Sequence, residues 1–217
     1  MDTLFIYITK VAEFIALAMG IIVYKKLSHP LRPWVYFLAI VFVVEVAGTI
    51  IRVKNISNLW LYNSYLVIEV LFQLVFVTQV LKSRGYKIFV GVQGVVFLSV
   101  WLFQMTSQNM LNSFDKPSFV VALLVLFSVY SVLLYHIAMQ TQTDLFKSPL
   151  LWFCISAILC YGWALIYFSV YDFLVAILTK KQVTVLWYSF NSMATLRYLL
   201  ITYAFLLVHF SRKKIIH

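Results

Sequence analysis

Runs of about twenty apolar residues recur seven times in this 217-residue chain. That repetition dictates the fold class, because ~20 residues of α-helix cross the hydrocarbon core of a bilayer. The runs fall at roughly 4–24, 34–52, 59–81, 87–106, 118–140, 150–171 and 183–210. With 64% hydrophobic and only 11% charged residues, the chain has too little polar surface to coat a water-soluble globule. The alternating segments of a transmembrane β-barrel do not occur. The expected architecture is all-α: a polytopic, seven-transmembrane-helix bundle forming a single domain over 1–217. Met1-Asp2-Thr3 lacks the basic n-region of a signal peptide, so the first run is expected to remain as a helix.

All four prolines, Pro30, Pro33, Pro117 and Pro149, lie between the runs. The runs therefore lack the usual cause of a sharp kink and the broken-helix pair of many transporters. Lys and Arg divide unevenly between the two sets of connectors. One side carries Lys25, Lys26, Arg32, Lys82, Arg84, Lys87 and Lys147, with Arg212, Lys213 and Lys214 at the end of the chain. The other side carries Arg52, Lys54, Lys116, Lys180 and Lys181. The positive-inside rule then puts the N-terminus outside and the C-terminus inside. The net charge of +10 is thus accounted for by topology and contact with anionic membrane lipids, not by nucleic acid. Trp34, Trp60, Trp152 and Trp187, at run ends, are expected in the interfacial aromatic belts.

Four charges break the apolar runs. Glu13, Glu45, Glu69 and Arg197 fall near the middle of four separate helices, where a charge costs about 2.5–3.5 kcal/mol on insertion scales. Polar residues accompany them at helical spacing. Lys10 shares a face with Glu13 and can pair with it; Gly48, Thr49 and Arg52 follow Glu45; Tyr62, Tyr65 and Gln73 flank Glu69, with Asn63 beside them. On the last helix Asn191, Thr195, Tyr198, Thr202 and His209 form a stripe about 100° away from Arg197. Single residues of this kind can be packing contacts, but one Arg cannot neutralise three glutamates. The set points to a polar pocket used for ligand binding or as a proton relay. Its candidate residues are Glu13, Glu45, Glu69, Arg197, Tyr65, Gln73, Asn191 and Tyr198.

Other chemistries find little footing. Cys154 and Cys160 lie six apart on one helix and point to different faces, so they cannot pair with each other. His136 and His209, near the inner ends, do not carry a haem site, and no metal-ligand set or cofactor motif is present. No G-x-S-x-G or Gly-rich phosphate loop occurs, so no catalytic residue is assigned. The last helix has Arg197 where a retinal-binding lysine would be needed. Asn55-Ile-Ser57 matches a glycosylation sequon in a connector.

Three local patterns are similar to a known group. These are the run Leu61-Tyr62-Asn63-Ser64-Tyr65-Leu66-Val67-Ile68-Glu69, the tripeptide Cys160-Tyr161-Gly162, and the run from Arg197 through Tyr198, Thr202 and Tyr203 to Phe205. Together they resemble small, uncharacterised seven-transmembrane-helix proteins of the bacterial inner membrane, commonly found near sensor kinases. In layout the chain also resembles the seven-helix sensory modules of bacterial signalling proteins, but without a fused output domain. The resemblance implies a multi-pass inner-membrane location and a separate cytoplasmic or membrane signalling partner.

Three functions are compatible with these features. A receptor or sensor would bind a small or lipid-like ligand in an outward-opening pocket lined by Glu69, Tyr65, Glu45 and Asn191. A proton-coupled small-molecule transporter would alternately protonate Glu13 and Glu69. A lipid-modifying enzyme would use two carboxylates as acid and base, without an evident nucleophile.

Overall fold

The computed structural model describes residues 2–107, 114–140 and 144–211. Among them are seven long helices and no strand: α1 Asp2–Val23, α2 Pro33–Val53, α3 Leu59–Val80, α4 Arg84–Ser107, α5 Lys116–Gln140, α6 Pro149–Ile177 and α7 Lys180–Ser211. Each has a segment long and apolar enough to cross a membrane. Arg212, Lys213 and Lys214 lie outside the described residues.

The helix ends follow from local chemistry. Pro33 and Pro149 occupy the first position of α2 and α6, where a missing N–H leaves no hydrogen bond unmade. Asp115 caps α5, its Oδ1 accepting from the Ser118 N–H at 3.1 Å. The backbone N–H of Asp115 donates to Asn63 Oδ1 at 3.4 Å, which ties this cap to α3. After α2 the chain turns through Asn55 at φ 56°, a left-handed conformation that Asn tolerates better than most residues. Two short 3-10 turns, Tyr24–Lys26 and His29–Leu31, join α1 to α2, and a third, Leu145–Lys147, precedes α6.

Two helices outrun their expected ends. α6 continues to Ile177 and α7 begins at Lys180, so the expected connector over 172–182 is helical except at its centre. Phe173 to Ile177 are apolar, β-tolerant but not helix-breaking, and nothing before Leu178 stops the helix.

Each helix packs on its neighbours in sequence, and α7 closes the ring against α1, while α3 also reaches α5. Short connectors make successive helices antiparallel. One end of the bundle therefore collects Lys25, Lys26, Arg32, Lys82, Arg84, Lys87 and Lys147 and is called the basic end; Arg52, Lys54, Lys116 and Lys181 mark the far end. α4 lies at the periphery, with Ile88, Val92, Val95 and Phe103 exposed, as a lipid-facing helix requires.

The basic half of the interior is filled with aromatic rings. Trp34 is 1% exposed, not in an interfacial belt as its position at a helix start predicts. Its indole meets Phe37, Phe72 and Phe76 edge-on at 5.6, 5.6 and 5.4 Å and Phe153 at 4.7 Å. Phe153 in turn meets Phe205 at 5.5 Å. Four helices contribute, so the ring plane is closed from α2, α3, α6 and α7. Trp60 and Trp187, 42% and 41% exposed, do face outward near the far end. Trp152 donates its indole N–H to the Phe146 carbonyl at 2.8 Å.

Candidate functional site

Above this aromatic layer, toward the far end, the interior turns polar. Its centre is a three-residue contact among α3, α6 and α7. Arg197 Nη1 donates to Glu69 Oε1 at 3.0 Å, and Arg197 Nη2 donates to the Tyr161 hydroxyl at 2.7 Å. That hydroxyl donates to the same Glu69 oxygen at 2.8 Å. The guanidinium carbon also lies 4.7 Å from the Tyr161 ring centroid, within cation–π range. The Arg197 and Glu69 side chains keep 11% and 15% exposure. This is a charge pair in a water-poor setting, closed by a shared hydroxyl, and such charge-assisted contacts are short and geometrically specific.

Toward the aromatic layer the network continues through Tyr130, whose ring lies 6.2 Å from that of Tyr161. The Tyr130 hydroxyl donates to Gln73 Oε1 in a short contact. Gln73 is fully buried, and its Nε2 has no hydrogen-bond partner. One more turn along α3 brings Phe76 and the end of the polar zone.

Toward the far end, α1 and α2 supply the next layer. Lys10 Nζ crosses from α1 to the Glu45 carbonyl at 3.4 Å and to the Thr49 hydroxyl. It therefore serves α2, not Glu13 one turn along its own helix as the i,i+3 spacing predicts. The physical reason is that the Glu45 carbonyl and Thr49 hydroxyl converge on one point across the interface, with Thr49 Oγ1 itself bonded to Glu45 O at 2.8 Å. The Tyr62 hydroxyl approaches Glu45 Oε2 at 3.5 Å. Gly48 makes room for it: a Cβ there would lie 2.6 Å from the Tyr62 hydroxyl.

Glu13 is 1% exposed, and its Oε1 has no hydrogen-bond partner. It lies within electrostatic reach of Glu45, Lys10 and Arg197. Tyr65 is in reach of Glu69, Arg197, Tyr198 and Glu13, and Tyr198 of Glu13, Arg197, Glu69 and Glu45. Glu13, Glu45, Glu69, Arg197, Tyr65 and Tyr198 thus occupy one neighbourhood, and Gln73 joins it through Tyr130. Asn191 does not. Its Nδ2 bonds back to the Trp187 carbonyl at 2.8 Å, and Thr195 meets Thr9 of α1 at 2.8 Å. The 100° offset read from the sequence is visible here: the stripe faces α1 while Arg197 faces α3 and α6.

Tyr161 and Tyr130 are the residues that the residue-by-residue reading does not pick out. Tyr161 lies within the Cys160-Tyr161-Gly162 pattern, but a tyrosine in an apolar helix reads equally well as packing until its partners are known. Cys154 and Cys160 are free thiols. His136 packs edge-on against Tyr86, 5.3 Å between ring centroids. Among the described residues no group of three His, Cys, Asp or Glu is placed to hold a metal ion.

No family model, curated protein or solved structure matches this chain. What the arrangement offers chemically is a set of fixed donors and acceptors: two carboxylates, Glu13 and Glu45, that form no ion pair among the described residues but lie within electrostatic reach of Lys10, one ion pair with a phenol at its centre, and several tyrosine hydroxyls. That suits binding of a small polar ligand or transfer of protons.

Proposed function

We propose that the chain is a membrane sensor of the bacterial inner membrane, with its N-terminus outside, that binds a small ligand in the polar zone. What supports this reading above all is the asymmetry of the interior. Polar groups run from Glu13 and Glu45 to Glu69 and Arg197 at mid-depth, and Trp34, Phe37, Phe76, Phe153 and Phe205 fill the basic half. A polar zone bounded by an aromatic layer on the basic side suits detection of a ligand that enters from the other side. The Glu69–Tyr161–Arg197 contact is the natural element for a ligand to reorganise, since it joins three helices. A partner of acidic surface would dock on the exposed Lys82, Arg84 and Lys87 between α3 and α4, because charge complementarity steers such encounters.

A proton-coupled transporter is the second reading, and the buried, unpartnered Glu13 favours it. One experiment separates the two. The purified protein is screened by thermal unfolding against a panel of small amines, carboxylates and amino acids. Proteoliposomes are assayed for flux of the same compounds, with wild type and Glu69→Gln in parallel. A sensor gives a compound that raises the midpoint of wild type but not of Glu69→Gln, without flux. Flux abolished by Glu69→Gln would transfer the site to transport.

A further inference from the structure

The basic end contains a second, independent feature. A cavity of about 310 Å³ lies between the α1–α2 turns, the start of α6 and the end of α7. Lys26, Ser28 and Ser148 supply its polar lining, and Leu31, Leu150 and Val208 its apolar one. Lys26 is half-buried while its neighbour Lys25 is exposed, so Lys26 has given up water without leaving the surface.

An inventory of the acids shows what is missing. The chain has seven Asp and Glu. Glu13, Glu45 and Glu69 lie deep in helices, and Asp2, Asp115 and Asp172 belong to the far end. Asp144 alone belongs to the basic end, and Lys147 pairs with it. Among the described residues no Asp or Glu is paired with Lys26, and a partly desolvated ammonium gains from a counter-charge. An anion bound in the cavity would supply it.

We infer that this cavity is a phosphate site, with Lys26, Ser28 and Ser148 holding the phosphate oxygens. One ammonium and two hydroxyls are donors suited to a singly charged phosphate diester, and Leu31, Leu150 and Val208 beside them offer apolar surface to an acyl chain. An anionic phospholipid would use both the polar lining and the apolar Leu31, Leu150 and Val208; free phosphate would use only the polar one. Its position at the helix ends, at headgroup depth, is where basic pockets between helices take such headgroups.

The test is thermal unfolding and native mass spectrometry of detergent-purified, delipidated protein, with phosphatidylglycerol, phosphatidylcholine or inorganic phosphate added. Wild type, Lys26→Gln, Ser148→Ala and, as a control elsewhere on the basic end, Lys87→Gln are compared. Phosphatidylglycerol is expected to bind and stabilise wild type more than phosphatidylcholine does. Lys26→Gln weakens this about fivefold, as befits one basic residue, and Lys87→Gln leaves it unchanged. Stabilisation by inorganic phosphate, lost in Lys26→Gln, would keep the phosphate site but assign it to the free anion. Equal binding of both lipids, or equal losses in Lys26→Gln and Lys87→Gln, would overturn the proposal. Lys26→Gln and Ser148→Ala lie outside both the polar zone and the proposed docking residues, so their lipid binding is read independently of the sensor reading; Lys87→Gln serves only as a lipid-binding control.

Discussion

At the scale of single residues, the three glutamates differ in what holds them. Glu69 has two donors, Arg197 and Tyr161; Glu45 has one long contact with Tyr62; Glu13 Oε1 has none. Substitution by the neutral isostere should follow that order. Glu69→Gln leaves the Arg197 charge without its counter-charge in the bundle interior, which costs about 3–5 kcal/mol when one partner of a buried pair is removed. Glu13→Gln breaks no ion pair and should change stability by less than ~1 kcal/mol. Denaturant or thermal unfolding of the two variants in one detergent checks this; equal losses would contradict the contact scheme.

The shared hydroxyl makes a sharper test. Tyr161→Phe removes one oxygen that both Glu69 and Arg197 use, with an expected cost of about 1–3 kcal/mol. Its effect should be non-additive with Arg197→Gln, with a coupling of about 0.5–3 kcal/mol for residues in contact. Additive losses would mean that Tyr161 stands outside the network.

At the scale of helices, the number and placement of the elements were legible because hydrophobicity and length alone decide them. The polar face of α3 was legible too, since Tyr62, Tyr65, Glu69 and Gln73 recur at helical spacing. What periodicity could not reveal was which neighbour each face meets. Lys10 fits Glu13 by spacing, yet crosses to α2. Trp34 sits where belt tryptophans sit, yet faces Phe37, Phe72, Phe76 and Phe153. In both cases the deciding partner lies on another helix.

The α2–α3 seam shows how one glycine sets such a partner. Gly48→Ala would drive a methyl into the Tyr62 hydroxyl, and overpacking of this kind costs about 1–3 kcal/mol. Tyr62→Phe removes the obstructing oxygen, so the double variant should recover part of the loss seen in Gly48→Ala. Unfolding midpoints of the three variants check this; no recovery would place the strain in the Tyr62 ring, whose Cζ would lie 3.1 Å from the new methyl, and not in its hydroxyl.

At the scale of the whole molecule, an aromatic layer lies on the basic side of the polar zone, and a second cluster of Phe119, Tyr167, Phe168 and Phe190 joins α5, α6 and α7 toward the far end. The layer on the basic side draws large rings from four helices, so it is also a major part of the packing. Trp34→Ala should cost about 3–5 kcal/mol, as truncation of a buried aromatic does, and should let water past the layer. Solvent-exchange protection of α2 and α6 amides near Trp34 and Phe153 would fall if so, and unchanged protection would count against a seal at this depth.

The central claim is that the polar zone is reached from one face only. Cysteine accessibility tests it most directly. In a Cys154→Ala, Cys160→Ala background, Thr49→Cys, Tyr65→Cys and Val208→Cys are each exposed to a membrane-impermeant thiol reagent from either face. Thr49→Cys and Tyr65→Cys should react only from the face that carries Arg52 and Lys54, and Val208→Cys only from the face that carries Lys26. Reaction of Tyr65→Cys from both faces would contradict a sealed pocket and with it the sensor reading.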